Sequence, residues 1–297
     1  MGSALTTVLL PAALALVMFG LGLSLTVGDF ARVGRHPRAV VIALVLQLLL
    51  LPAVCFGLVL AFGLPPLLAV GLMLLAASPG GTTANLFSHL FRGDVALNIT
   101  LTAVNSLIAV VTLPVITNLA IDYFEPEDGS SLGLQFGKTL QVFAIVLVPV
   151  VIGMVVRQRS TAFADRMDKP VRIASAVVLA LVIIGTIVAE RENITGYISD
   201  VGLPALLFCL ASLTVGFVVP RLFGVVRRQA IASAFEIGVH NGTLAIAIAI
   251  SVLGSVELAV PAAVYSVIMF PAAAVFGWAI TRSAARTEAE EPAATRD

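Results

Sequence analysis

The chain has 297 residues, of which 59% are hydrophobic and 11% are charged, and its formal net charge is zero. A soluble globular domain carries about 25% charged residues, so this composition excludes a soluble protein and predicts an all-α integral membrane protein. The only two cysteines, Cys55 and Cys209, lie in apolar segments and are too few for a disulfide framework or a metal cluster.

Nine apolar segments follow one another along the chain, and a membrane-spanning helix needs roughly 20 such residues. We predict transmembrane helices at 5–27, 39–60, 67–91, 95–121, 136–156, 171–189, 203–226, 230–253 and 260–280. No basic stretch precedes the first segment, so we interpret it as a membrane helix and not as a signal peptide. The polar residues 281–297 are predicted to be a disordered cytoplasmic tail, and 1–297 a single transmembrane domain.

Lysine and arginine fall almost entirely on one side of this nine-helix arrangement. Of the 17 basic residues, only Lys138 and Arg191 lie outside the tail and the connections that follow helices 1, 3, 5 and 7, with their adjoining helix ends. Because basic loops stay in the cytoplasm, the N-terminus is predicted outside and the C-terminus inside. The localisation that follows is a multi-pass protein of the cell (inner) membrane.

Two of the segments are interrupted near their middles. The third contains Ser-Pro-Gly-Gly-Thr-Thr-Ala-Asn at 78–85, and the eighth contains Gly-Val-His-Asn-Gly-Thr at 238–243. Each break leaves backbone N–H and C=O groups without helical partners, so in hydrocarbon these groups need another break, an ion or a ligand. The third segment enters from outside and the eighth from inside. Helices 1–4 (about 5–121) and helices 5–9 (about 136–280) are therefore predicted to be inverted repeats with two broken helices.

Glu236 is the one acidic residue embedded in a long apolar segment, since no other charged residue lies between Arg228 and Glu257. It is eight residues from Arg228, which places it about 12 Å into the membrane at 1.5 Å per residue. The break of the third segment has a similar depth, so the two breaks can meet near the midplane. A carboxylate with free carbonyls suits a hard cation such as sodium, whereas free N–H groups suit an anion.

Polar side chains in other segments add candidate ligands. Asn98, Thr102 and Asn105 are spaced by four and three residues and share a helical face, and Gln47 stands alone in the second segment. Hydrogen bonding between helices is an equally good interpretation of Asn105 and Ser106.

Plainer interpretations of the breaks stay open at this point. The Pro-Gly-Gly of the third segment also fits a packing kink, and His240 also fits a hydrogen bond inside the bundle. No phosphate-binding Gly-Lys-Ser/Thr loop and no His-Glu-x-x-His zinc motif occurs in the sequence. We therefore expect no cofactor, no enzymatic activity, no nucleic acid and no obligatory protein partner. The expected partners are the lipid bilayer, sodium as coupling ion and an organic anion.

The motifs resemble those of the bile acid:sodium symporter family. The resemblance is carried by 78–85 with Arg-Gly-Asp-Val-Ala-Leu at 92–97, by 235–245, and by Met-Phe-Gly-Leu-Gly-Leu at 18–23 with Asp-Phe at 29–30. It covers essentially the whole chain. It implies a core domain with two crossing broken helices beside a moving panel domain, and sodium-coupled uptake of organic anions by alternating access. It also implies that the chain lacks the extra first helix of many bacterial members, which leaves nine.

The same resemblance implies the site residues. One sodium site would use Ala84, Asn85, Asn98, Thr102 and Glu236. The second would use Gln47, Glu236, His240 and the backbone carbonyls of Ile237 and Val239. The residues that would face the substrate are Gly81, Thr82, Thr83, Asn241 and Gly242.

Two of these positions depart from the family pattern. Ala84 stands where family members often carry a hydroxyl, although Asn98, at a position where serine is common, can compensate. His240 stands where glutamine is common, and neutral imidazole is a poor sodium ligand but can hold a proton near neutral pH. One sodium ion, or a proton, can therefore replace the usual pair.

The sequence thus predicts a sodium-coupled secondary active symporter that imports a small organic anion, bile-acid-like or a smaller carboxylate. Glu236 would supply the negative charge for the cation. The alternatives are a proton-coupled organic anion carrier using Glu236 and His240, a passive channel, and a membrane sensor. The short tail argues against the sensor, and an intramembrane enzyme would need a Ser or Cys nucleophile beside His240.

Overall fold

The computed structural model describes residues 10–126, 136–167 and 194–290, with short stretches between 169 and 181. These residues form helices joined by short connections.

The first predicted segment is bent. Helix α1 (Leu10–Ser24) is followed by α2 (Val27–Ala31), and the chain bends by 66° between them. The uninterrupted helix predicted to residue 27 is therefore wrong, because Thr26 starts a new helix as its N-cap. Its backbone N–H and its hydroxyl both bond to the Asp29 carboxylate at 2.7 Å.

The second and third predicted segments form four helices. Helices α3 (Pro37–Val45) and α4 (Leu51–Phe62) are joined by a π-helical turn, Leu46–Leu50, into one span. Such turns are rare and frequently lie at functional sites, and this one carries Gln47, which is buried. The third segment is broken as predicted, into α5 (Pro66–Ala77) and α6 (Thr82–Leu90).

The remaining helices follow the predicted order. They are α7 (Val95–Phe124), α8 (Phe136–Arg159), α9 (Ile194–Leu222), α10 (Arg227–Gly238), α11 (Gly242–Ser251) and α12 (Val260–Glu290). The eighth predicted segment is broken, into α10 and α11. The sixth, at 171–189, lies mostly outside the described residues. Helix α12 continues to Glu290, so the prediction of disorder from residue 281 is wrong for the first ten residues of the tail.

Among the described residues, four helices are long and apolar enough to cross a membrane, and the bent α1–α2 pair raises the number to five. The four are Pro37–Phe62, Val95–Phe124, Ser199–Leu222 and Glu257–Arg282. This arrangement is that of a multi-pass membrane protein. The count of nine helices and the inverted repeat stay predictions.

The two broken segments occupy the centre of the molecule. In α5 every residue from Leu68 to Ala77 is buried, and in α10 every residue from Ala230 to Gly238 is buried. Close packing around them depends on small residues, as is usual between membrane helices. A Cβ at Gly238, for example, would meet the side chain of Leu213 on α9 at 2.5 Å. The fold therefore encloses both breaks on most sides.

Candidate functional site

The two breaks cross and pair through their backbones. They form an isolated antiparallel bridge with two hydrogen bonds. The N–H of Gly81 donates to the carbonyl of Val239 at 2.9 Å, and the N–H of Asn241 donates to the carbonyl of Pro79 at 2.8 Å. Each break thus supplies partners for groups that the other leaves free, as the membrane interior requires.

The carboxylate of Glu236 lies at this crossing and is fully buried. The Thr102 hydroxyl donates to its Oε2 at 2.5 Å, and the Asn105 amide donates to its Oε1 at 3.1 Å. The backbone of Gly80 also hydrogen-bonds to it. A Cβ at Gly80 would lie 2.5 Å from the carboxyl carbon, so only glycine fits there. Helix α7 and the first break together hold the carboxylate in place.

The charge of this carboxylate has no cationic partner among the described residues. The ion pairs that these residues form are Arg32 with Asp29 and Arg157 with Asp165. Burial of a charge is costly unless a counter-charge offsets it, and three neutral donors offset only part of that cost. A single positive charge bound beside Glu236 would offset the remaining cost of burying its carboxylate.

Amide oxygens without partners lie in the helices around the crossing. The buried oxygens without a hydrogen bond include Oε1 of Gln47 and Oδ1 of Asn85, Asn98 and Asn105. The amide of Asn98 donates to the carbonyl of Ala232 at 2.7 Å, and that of Gln47 to the carbonyl of Ser78 at 3.1 Å. Because these nitrogens are engaged, the amides are fixed with their oxygens free. Carboxylate and amide oxygens are the ligands that hard cations take in proteins.

Three of the five residues predicted for the first sodium site are in contact, namely Asn98, Thr102 and Glu236. Thr102 joins two of them, since its hydroxyl contacts Glu236 and also lies 3.0 Å from the carbonyl of Asn98. Asn85 and Thr102 line one cavity. Ala84 is fully buried beside the first break and brings no side-chain oxygen.

Two of the five residues predicted for the second site, Gln47 and His240, contact the carbonyl of Ser78. The Gln47 amide lies 3.1 Å from this oxygen, and Nδ1 of His240 lies 3.2 Å from it. Of the two backbone carbonyls, that of Val239 already accepts the N–H of Gly81. Ile237 is fully buried.

The His240 ring is held among aromatic side chains. It stacks on Phe208 with centroids 5.4 Å apart and meets Tyr265 edge-on at 5.5 Å. Because Nδ1 faces a carbonyl oxygen, Nδ1 carries the proton and Nε2 carries a lone pair. That Nε2 is buried and has no hydrogen-bond partner. The hydrogen bond expected on the plainer interpretation of His240 is therefore present, and one nitrogen stays free to accept.

A cavity of about 410 Å³ opens beside the crossing. Sites for small molecules commonly measure about 300–1,000 Å³. Four of the five predicted substrate residues line it, namely Gly81, Thr83, Asn241 and Gly242. The side chain of the fifth, Thr82, lies outside the described part of the structure. The cavity thus touches both half-helix starts at once.

One wall of this cavity was not predicted from the sequence. That wall is built by α1 and α12, and it includes Met18, Leu21, Leu25, Met269 and Phe270. Apolar side chains that face a cavity look the same in a sequence as those that face lipid, so no signal marked them. His89, at the end of α6, also lines the cavity.

The chain is similar to known proteins over most of its length. The chain matches the sodium bile acid symporter family over residues 11–197, which is more than half of its length. It is 28% identical over 260 residues to an uncharacterized sodium-dependent transporter, YocS, of Bacillus subtilis (strain 168), covering 86% of this chain and 77% of that protein. It is 30% identical over 258 residues to the probable chloroplastic sodium/metabolite cotransporter BASS1 of Arabidopsis thaliana, covering 86% and 62%.

A human relative is more distant. The chain is 26% identical over 232 residues to the ileal sodium/bile acid cotransporter of Homo sapiens, covering 78% of this chain and 66% of that protein. The chain therefore spans less than two thirds of the length of the plant and human relatives. The apolar spans make the chain a multi-pass membrane protein. Its two broken helices cross at a buried carboxylate. The chain belongs to the sodium bile acid symporter family.

Proposed function

We propose that this protein is a sodium-coupled symporter that imports a small organic anion by alternating access. The observation that carries the proposal is the buried carboxylate of Glu236, which has no cationic partner among the described residues, while helices at the crossing carry buried amide oxygens without hydrogen bonds. Sodium bound there would neutralise the carboxylate and connect α7, α10 and the first break. The relatives named as sodium-dependent transporters and cotransporters support the same ion.

The proposed cation ligands are the two predicted sets. The first comprises Ala84, Asn85, Asn98, Thr102 and Glu236, and the second comprises Gln47, Glu236, His240, Ile237 and Val239. The proposed anion site is the cavity, with Gly81, Thr82, Thr83, Asn241 and Gly242 on its crossing side. Binding of sodium would fix the crossing, so the anion would meet a preformed site. Such a coupling free energy between two ligands is reciprocal.

The topology forms part of the proposal. Nine transmembrane helices would form two inverted repeats, as a core and a panel domain, with the N-terminus outside the cell (inner) membrane and the C-terminus inside. The broken helices would belong to the core. Inward transport of one net positive charge would gain about 2.3 kcal/mol per 100 mV of membrane potential.

The test is thermal stability of the purified full chain, titrated with sodium chloride against potassium chloride. A ligand that binds the folded state raises the melting temperature by mass action. We expect a rise specific to sodium in the wild type and none in Glu236→Gln, which keeps the shape of the side chain but removes its charge. A screen of carboxylates in sodium and in potassium would then seek an anion that stabilises only with sodium.

Three outcomes would contradict the proposal. They are an equal response to both salts, a sodium response that survives in Glu236→Gln, and a response to pH alone. The last would favour the proton-coupled alternative, for which His240→Gln is the next variant.

A further inference from the structure

We propose that one corner of the molecule binds the headgroup of an anionic phospholipid. The corner is formed where the start of α3 meets the connection between α9 and α10, and we call it the arginine corner. It comprises Arg38, Arg221, Arg227 and Arg228. This inference is independent of the transported anion, because the central cavity lies elsewhere, between α1, α6, α7, α12 and the crossing.

Specific contacts bring the two connections together. Nη1 of Arg38 lies 3.4 Å from the position that a Cβ of Gly224 would take, and Gly224 has a φ of +75°. Since glycine adopts this conformation readily and has no side chain, the guanidinium lies directly over the turn. Nearby, the Gln229 amide contacts Nδ1 of His36 at 2.9 Å. The Arg38 side chain of α3 is therefore held over the connection between α9 and α10, which carries the other three arginines.

The same turn is fixed from its own side. Arg221 donates to the carbonyl of Val225 at 2.8 Å, and Arg227 donates to the carbonyl of Ile280. A guanidinium has five donors, so each of these side chains keeps several free. Planar guanidinium groups with free donors match the geometry of phosphate oxygens.

The acidic side chains of the neighbouring connections are engaged elsewhere. Asp29 pairs with Arg32, and Asp94 accepts the N–H of Leu97 at the start of α7. Among the described residues, none of the four arginines of the corner forms an ion pair. Asp94 lies close to the corner, because its backbone N–H donates to the carbonyl of Arg228 at 2.9 Å, but it forms no ion pair with the four arginines, so the corner keeps a net positive charge.

The position of the corner along the membrane normal favours a lipid over a soluble anion. One span begins at Pro37 and another ends at Leu222, so both helix ends that form the corner lie where the bilayer meets water. Leu222, Phe223 and Val226 stand beside the arginines and are 78%, 57% and 57% exposed. Apolar side chains at this level reach the acyl chains while the guanidinium groups reach the phosphates. Basic pockets between helices are a recurring form of lipid recognition.

The test compares nanodiscs of phosphatidylcholine alone with nanodiscs that also contain phosphatidylglycerol. We expect phosphatidylglycerol to raise the melting temperature of the wild type and to be retained preferentially in native mass spectrometry. The double variant Arg38→Gln/Arg228→Gln should lose this preference, with an affinity lower by about fivefold for each arginine. Arg38→Lys/Arg228→Lys keeps the charge but loses the planar guanidinium groups, so it should keep only part of the preference.

The matched control is Arg159→Gln/Arg166→Gln. Both residues are exposed, lie on the predicted cytoplasmic side, and change the net charge by the same amount, so this control should behave as the wild type. Equal losses in the two glutamine variants would overturn the proposal in favour of a general surface potential. An absence of any preference for phosphatidylglycerol would also overturn it, as would an equal rise in melting temperature with inorganic phosphate alone.

Discussion

The two helix breaks pair through the same backbone bridge, yet they begin their second half-helices by different means. Helix α11 is capped by its own break, because Oδ1 of Asn241 accepts the N–H of Leu244 at 3.1 Å. Helix α6 begins after Gly81, which offers no side-chain cap. An uncapped helix start keeps N–H groups available for an anion. The N–H groups at the first break are therefore more available to a ligand than those at the second, where a side chain of the break itself accepts one of them.

The breaks also differ in what stands against their glycines. A side chain at Gly80 would overlap the backbone and the carboxylate of Glu236. These atoms cannot move without loss of the hydrogen bonds that hold the carboxylate. At Gly242 the obstacle is the hydroxyl of Ser266, the end of a single side chain. The first break is therefore the less tolerant of change.

The largest effect is expected for Gly80→Ala. A Cβ there would lie 2.5 Å from both the carbonyl oxygen and the carboxyl carbon of Glu236, so we expect a loss of stability of about 3 kcal/mol and no response to sodium. Thermal stability in sodium and potassium measures both. The control is Gly81→Ala, whose Cβ would have no neighbour closer than 3.5 Å. Equal effects at the two glycines would show that the close approach at Gly80 is not what limits the crossing.

A smaller loss of stability, which a second substitution should restore, is expected for Gly242→Ala. The new methyl group would overlap the Ser266 hydroxyl, which overpacks the second break by about 2 kcal/mol. Ser266→Ala removes the hydroxyl, so the double variant should regain most of the lost melting temperature. A double variant no more stable than Gly242→Ala would contradict this account.

Removal of the cap at the second break should cost about 1 kcal/mol. Asn241→Ala leaves the N–H of Leu244 without its side-chain acceptor, whereas Asn241→Ser keeps an uncharged acceptor oxygen at the cap position. Melting temperatures of the two variants, measured in potassium, separate the cap from any contact with a transported anion. If alanine and serine destabilise equally, the cap contributes nothing measurable.

The smallest effect is expected for Tyr265→Phe. The hydroxyl of Tyr265 donates to the carbonyl of Gly238 at 2.9 Å, whereas at the first break the Gln47 amide donates to the carbonyl of Ser78. Its loss should lower stability by less than about 1 kcal/mol. Sodium-dependent stabilisation should be unchanged, and a large fall in it would place Tyr265 in the cation site.

Some of these features could be predicted from the sequence, because polar residues inside apolar segments stand out. Glu236 and the two glycine-containing breaks were found on that ground, and their depths predicted that the breaks can meet. The bend after Ser24 was missed, since a Thr26–Asp29 capping box is a weak signal at the end of an apolar run. The π-helical turn at Gln47 was missed as well, because it adds one residue to a turn without any unusual composition.

The wall of the cavity could not be predicted for a different reason. Met18 and Phe270 become cavity residues only through the way α1 and α12 pack against the crossing. Asn105 was ambiguous between a ligand and a contact between helices, and the structure places its amide on Glu236. Such assignments depend on the rotation of each helix about its axis, which an almost uniformly apolar face does not specify.

The bridge between Gly80 and His240 is made by main-chain atoms. Hydrogen bonds between main-chain atoms do not depend on the identity of most neighbouring side chains. The polar side chains near the crossing can therefore change without a change in the bridge. Replacement of His240 by glutamine, or of Ala84 by serine, would alter which oxygen and nitrogen atoms face the interior while the bridge itself stays intact. The main-chain crossing can thus stay the same while the polar groups around it change one residue at a time.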